Sequence, residues 1–294
     1  MRMDGQEESS NVEDARGSGG GGGGGFGIGG GGIGLGTVAV ALVAGWIFGI
    51  NPLTILGLLS GGGTPMTQSA PAPAHPPPAG DPQAKFVSQV LRSTEQVWGD
   101  VFQRAGQTYQ PPKLTLFSNS YPTGCGRGES AMGPFYCPAD RHVYLDMTFF
   151  SVMSQRLGAP GQFAQAYVVA HEVGHHVQNL LGITGKADAQ RQRSSEAQAN
   201  AMSVRVELQA DCFAGVWAKR SQAVSTWRLE QGDIETALNA ASQIGDDNLQ
   251  RKSRGTVVPE SFTHGSSAQR VGWFKRGFES GNPDDCNTFE SRQP

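Results

Sequence analysis

The sequence predicts an α+β fold, mainly helical with a small β-sheet, built from residues 81–294. Three observations carry that expectation. Residues 163–181 and 195–215 read as long helices, the first from its apolar spacing and the second from its Ala content. Two five-residue runs, Lys113–Phe117 and His142–Asp146, read as strands. The N-terminal third, by contrast, is not expected to fill a core. Between positions 17 and 36, 15 of 20 residues are Gly, and no Asp, Glu, Lys or Arg occurs from Gly17 to Gly80.

Taken in order, residues 1–32 are expected to be a disordered Gly-rich segment. Residues 33–59 are mostly Gly, Ala, Val, Ile and Leu. A bilayer takes about 20 apolar residues to span, so this stretch is the expected single transmembrane helix, with Asn51-Pro52 tolerated inside it. A cleaved signal peptide fits less well, because no basic region abuts the apolar stretch. Residues 60–80, with Pro71-Ala-Pro-Ala-His-Pro-Pro-Pro78, form the expected Gly/Pro-rich linker. Residues 81–294 suffice for one substantial core. Within them, Gln83–Gln103 predicts an amphipathic helix with Phe86, Val90, Val97, Val101 and Phe102 on its stripe. A turn at Pro138-Ala-Asp140 leads into His142–Asp146, a candidate edge strand. Thr148–Leu157 reads as helical. Asp233 and Ser266 read as N-caps, Ser266 with Gln269 at the capping-box position.

The chemistry concentrates in His171-Glu172-Val173-Gly174-His175. Pro160-Gly161 precedes this helix and Gly182 follows it. Positions i and i+4 share a helix face, so His171 and His175 can offer two imidazole nitrogens to one metal, with Glu172 beside them. This is the H-E-x-x-H arrangement of zinc hydrolases. Zinc lowers the pKa of its water from ~15.7 to ~7, and the neighbouring carboxylate can take the proton. Exposed histidines on an ordinary helix are the plainer alternative, but polar groups on so apolar a helix need partners. A catalytic zinc usually takes three protein ligands. The pattern with Gly at 178 and His at 181 is absent, since Gln178 and Leu181 stand there. Downstream, Glu207 and Asp211 are again spaced i, i+4. That suits one carboxylate on the metal and one on a ligating histidine; a solvated helix face is the alternative. Glu196 is a weaker ligand candidate.

His171-Glu-x-x-His175 followed by Glu207-x-x-x-Asp211 resembles the gluzincin arrangement. More closely, Gly133-Pro-Phe-Tyr-Cys-Pro-Ala-Asp140, Val143-Tyr-Leu-Asp146, His171-Glu-Val-Gly-His-His-Val-Gln178, Glu207-Leu-Gln-Ala-Asp-Cys-Phe-Ala-Gly215 and Phe262-Thr-His-Gly-Ser-Ser267 resemble the bacterial neutral zinc metallopeptidase family. The resemblance implies a gluzincin-like zinc-peptidase domain. It makes His171, His175 and Glu207 the ligands of Zn2+, Glu172 the general base and Asp211 a support behind a ligand. Gluzincins commonly add a His, Tyr or Arg donor for the oxyanion, downstream of the third ligand. His264 follows Glu207 and is therefore the second catalytic candidate, with Tyr144 and Tyr167 next. A loop histidine bonded to backbone is the alternative.

Cys125, Cys137, Cys212 and Cys286 all lie beyond the apolar span, and none shows C-x-x-C spacing. An even number there fits two disulfides in an oxidising compartment. Three pairings are possible. The expected one has Cys125–Cys137 stapling a Gly-rich loop and Cys212–Cys286 tying the C-terminal tail to the helix of Glu207. The positions of Arg16 and Lys85 favour a cytoplasmic N-terminus. The expectation is thus a single-pass protein of the cytoplasmic membrane with its catalytic domain on the periplasmic or extracytoplasmic side. With a formal net charge of -3 and no basic stripe, nucleic acid is not an expected partner. The expected function is a membrane-anchored zinc endopeptidase acting on peptide or protein substrates. A catalytically silent zinc-containing envelope scaffold or interaction protein is the alternative, and such a protein would have no use for Glu172.

Overall fold

A computed structural model of the protein describes residues 1–16, 75–130 and 133–291. Asp81 accepts hydrogen bonds from the backbone N–H groups of Gln83 and Ala84 and so starts α1 (Pro82–Arg104), where a proline at the first helical position loses no hydrogen bond. The sheet elements follow as β2 (Lys113–Phe117), β3 (Ser120–Thr123), β4 (Gly126–Glu129), β5 (Phe135–Cys137) and β6 (His142–Asp146), with β1 (Val12–Asp14) preceding α1. Then come α2 (Thr148–Gln155), α3 (Gln162–Leu180), α4 (Ile183–Arg191), α5 (Glu196–Val224), α6 (Asp233–Gln243), α7 (Asp246–Arg254) and α8 (Ser267–Ser280). The α+β expectation holds. Both expected strands have the predicted bounds. Ser266 caps α8 in a full capping box, and Ser195 does the same for α5. Asp233 is not a cap; it is the first residue of α6, behind Gly232 in a left-handed conformation.

The four-stranded sheet has the order β1-β2-β6-β5. β1, β2 and β6 run parallel, and β5 is antiparallel to β6. His142–Asp146 is therefore an internal strand and not the edge. The edge on that side is β5, the arm that the Pro138-Ala-Asp140 turn folds back. β3 and β4 form a separate hairpin, tied to the end of β5 by the Cys125–Cys137 disulfide.

Against the sheet stand the helices, centred on α5. Its Trp217 lies among Phe163 of α3, Trp227 and Ser93 of α1, all fully buried. Two small-residue crossings set the helix positions. A Cβ added to Gly174 of α3 would meet Ala210 of α5 at 3.1 Å, so a bare glycine lets these helices touch where the histidines must face Glu207. Between α5 and α8 the approach is closer. A Cβ on Gly277 would lie 1.9 Å from the Cys212 carbonyl oxygen, and one on Gly215 2.1 Å from that of Phe274. Gly277→Ala should therefore destabilise the protein although alanine is the better helix former. Helix propensity contributes about 1 kcal/mol. Overpacking against atoms that can yield costs ~1–3 kcal/mol, and here the opposing atom is backbone. We expect a net loss of at least ~2 kcal/mol, a melting temperature lower by at least ~4 °C. A melt equal to or above that of the parent would refute this account of the crossing.

The largest correction concerns the N-terminus. Residues 1–16 belong to the folded body. Val12, Glu13 and Asp14 pair with Leu114, Thr115 and Leu116. Ser9 and Asn11 donate to Glu95 of α1. Gln6 accepts from Thr226 and donates to Gln96. The backbone of Asp14 exchanges hydrogen bonds with that of His75, at 2.7 and 3.2 Å, and Arg16 bridges the carboxylates of Asp14 and Asp81. The expected 1–32 segment is thus ordered at least to residue 16, because β2 offers an open edge and α1 a row of polar partners. Among the described residues no helix is long and apolar enough to cross a membrane; the expected span at 33–59, the rest of the Gly-rich segment and most of the 60–80 linker lie outside them.

Candidate metal centre

His171 and His175 project from one face of α3, their ring centroids 4.8 Å apart and their planes perpendicular. Glu207 reaches them from α5. Its Oε2 lies 3.2 Å from His171 Nε2 and its Oε1 3.5 Å from His175 Nε2. The three donor atoms fall within 4.8 Å of one another, so they could share one ion of the size that imidazole and carboxylate ligands hold at ~2.0–2.2 Å. Glu196, exposed in the first turn of α5, takes no part.

Asp211, one turn beyond Glu207, is fully buried. Its carboxylate lies 2.9 Å from His171 Nδ1. It also accepts from Tyr167 Oη and from Arg270 of α8, at 2.8 Å from Nε and 3.0 Å from the terminal nitrogen. Asp211 thus fixes which nitrogen of His171 is turned towards Glu207, as a supporting carboxylate should. Arg270 in turn keeps the buried carboxylate paired, and an unpaired charge there would be strongly destabilising.

The electrostatics favour a cation. Burial alone would drive His171 to its neutral form, but Asp211 and then Glu207 overcome it and raise its pKa to about 10. Burial works against ionising Glu207, yet the two imidazoles hold its carboxyl well below the usual carboxylate range. The cluster therefore keeps a positive charge between two carboxylates, which a divalent ion can supply in place of protons.

Glu172 is buried beside the histidines, and burial pushes its pKa up. It opens onto the same cavity, about 770 Å³, as His171, His175, Glu207, His264 and Arg270. His264 is brought to the site by a turn built on Asp246, the first residue of α7. One Asp246 oxygen accepts the backbone N–H groups of Thr263, His264 and Gly265; the other lies 3.2 Å from His264 Nδ1. Burial resists protonation of His264, but Asp246 and Glu207 outweigh it and raise its pKa. Neither fallback serves: Tyr167 is committed to Asp211, and Tyr144 donates to Asp140. Asp246 and Arg270 escaped sequence reading. The Gly245-Asp246-Asp247 start of a helix was the available signal for Asp246; Arg270, 59 residues from its partner, had none.

A family profile described as "Putative neutral zinc metallopeptidase" matches residues 1–289. The chain belongs to that family. "Uncharacterized protein YpfJ" of Escherichia coli K12 is 52% identical over 292 residues, covering 98% of this chain and 99% of its own length. "Uncharacterized protein Rv2575" of Mycobacterium tuberculosis H37Rv is 46% identical over 192 residues, 62% of this chain and 64% of its own. No solved structure matches. The family profile takes in residues 1–16, in keeping with their place in the fold. Both expected disulfides are formed, Cys125–Cys137 and Cys212–Cys286.

Proposed function

We propose that the protein is a zinc-dependent endopeptidase. The observation that carries this reading is the convergence of His171, His175 and Glu207 on one point, with Glu172 in the same cavity and outside the ligand set. A bound zinc would supply Lewis acidity, acidifying a water and polarising the scissile carbonyl. Glu172 accepts the proton as the water oxygen bonds to the carbonyl carbon, and delivers it to the leaving nitrogen as the C–N bond breaks. His264, held by Asp246, donates to the oxyanion that develops between these steps. Asp211, Tyr167 and Arg270 keep His171 oriented. β5 leaves one backbone edge unpaired among the described strands, and its Phe135 and Tyr136 line the cavity. An extended peptide added along that edge would border the cavity that holds the histidines, with main-chain pairing giving affinity. The disulfides favour an oxidising compartment outside the cytoplasm.

The test is metal analysis of the purified full chain combined with an unbiased peptide-library digest, with and without chelator. One zinc per chain, and cleavage that is lost on chelation and restored by zinc, are expected. Cleavage that survives complete metal removal would overturn the reading. Within the same assay, His264→Ala should lower kcat by ~10²–10³-fold, the usual cost of losing an oxyanion donor, at unchanged zinc content. An unchanged kcat would remove His264 from the mechanism.

A further inference from the structure

A histidine ligand needs its second ring nitrogen committed elsewhere, or it wavers between two tautomers and rotates. Asp211 meets that need for His171. For His175 the structure supplies a longer device. His175 Nδ1 lies 2.9 Å from Oε1 of Gln178, one turn further along α3. Gln178 is fully buried. Its amide nitrogen donates to the Val206 carbonyl at 2.7 Å and to Gln209 Oε1 at 3.1 Å, both on α5. The Gln209 amide nitrogen donates in turn to the Cys286 carbonyl at 3.0 Å.

The polarity of this chain of bonds is determined at its far end. A backbone carbonyl only accepts, so the amide nitrogen of Gln209 must face Cys286 and its oxygen must face Gln178. The Val206 carbonyl imposes the same choice on Gln178, whose oxygen is then left for His175. An amide flip at either residue would bring two acceptors together. His175 must therefore carry its proton on Nδ1, which leaves the Nε2 lone pair on the side of Glu207. Donors that all point one way also polarise one another and strengthen each bond.

The Cys286 carbonyl is itself held. Cys286 is bonded to Cys212, the neighbour of Asp211. Beyond it, Thr288 Oγ1 donates to the Arg205 carbonyl at 2.7 Å, and Arg205 donates to the carbonyls of Thr288 and Ser291. Arg205 and Gln209, spaced i, i+4, share one face of α5, while Glu207 and Asp211 lie on another. The C-terminal tail thus grips α5 from the side away from the metal ligands, and Gln209 links the two.

We propose that Gln178 and Gln209 are positioning residues for His175, and that their relay to the Cys286 carbonyl of the disulfide-tethered tail sets the tautomer of His175 and with it the zinc affinity. This deepens the zinc-site reading and does not depend on peptide cleavage.

The test uses full-length Gln178→Met and Gln209→Met, which keep side-chain length and remove both polar ends. Zinc dissociation constants from chelator competition should rise by ~10–100-fold for Gln178→Met, the usual range for a residue supporting a ligand. Gln209→Met should shift in the same direction. In the zinc-loaded parent, nuclear magnetic resonance should detect a slowly exchanging Nδ1–H proton on His175. That signal should be lost to solvent exchange in Gln178→Met and should exchange faster than in the parent in Gln209→Met, where Val206 alone still holds Gln178, while the His171 signal, secured by Asp211, is unchanged. A purely structural role for the glutamines would lower the melting temperature and leave the His175 proton protected. Should Gln178→Met not fold, Gln209→Met carries the test alone. Parental zinc affinity, or a parental exchange rate of the His175 proton, in a folded Gln209→Met protein would overturn the relay. A parent that binds zinc but cleaves no peptide would count against the proposed function alone.

Discussion

Glu172→Gln is expected to leave one zinc per chain in place and to lower peptide cleavage by ~10²–10⁴-fold, the range for loss of a general base. On the rate scale that is about 2.7–5.5 kcal/mol of transition-state stabilisation. The expectation follows from where Glu172 sits. It is next to a ligand in sequence, buried, and turned into the cavity that His171, His175 and Glu207 share, but it is not among the three groups that converge on the ion position. Burial raises its pKa, which makes its carboxylate a better proton acceptor than an exposed one. Glutamine has the same size and can still hydrogen-bond, so the fold and the ligand set are spared while proton transfer is not. Zinc content by elemental analysis and turnover on a library-derived peptide decide the matter. Retained turnover would remove this carboxylate from the chemistry, and lost zinc would make it a ligand.

Glu207→Ala should have the opposite signature: the metal goes first. The two imidazoles would keep their Asp211 and Gln178 supports, but the carboxylate that neutralises them is gone. The affinity should fall by more than the ~10–100-fold that a supporting residue costs. Thermal melts give the cleanest reading. Any ligand bound only by the native state stabilises it by RT ln(1 + [L]/Kd), about 2.7 kcal/mol at a hundredfold excess over Kd. The parent should therefore melt higher when zinc is added, and Glu207→Ala should not. In chelator the variant is expected to melt lower on its own account, since the charge that paired the buried imidazoles is gone, so each protein is compared with itself with and without zinc. A parental zinc shift in the variant would place the third ligand elsewhere.

The metal centre was legible in the sequence because its ligands come from two helices whose internal spacing of four is itself the signal. Gln178 was visible too, but only as the residue that excluded another zinc-peptidase pattern and as the end of the motif that carries the family resemblance. Its role needs the third dimension, where Val206 and Gln209 of a different helix fix its orientation. Arg270 and Asp246 act across folded neighbours, and nothing local marks an arginine as buried. The strand at 142–146 was legible as a strand, since Val143, Tyr144, Leu145 and Asp146 are all buried, but such a run does not say which neighbours flank it. β1 was illegible for another reason. Val12-Glu13-Asp14 carries no periodicity worth reading and becomes a strand only because β2 lends it a ladder.

That ladder orders events in time. Residues 1–16 leave the ribosome about a hundred residues ahead of the strand they pair with, at roughly 5–20 residues per second, so they wait several seconds without a partner. Such non-local parallel pairing is slow, since the chain loses closure entropy before any contact rewards it. Until β1 docks, the edge of β2 is an open template for another chain, and Glu95 lacks Ser9 and Asn11. Residues 1–16 are thus expected to dock only after β2 has formed, which makes the closing of the β1 edge a late step of folding.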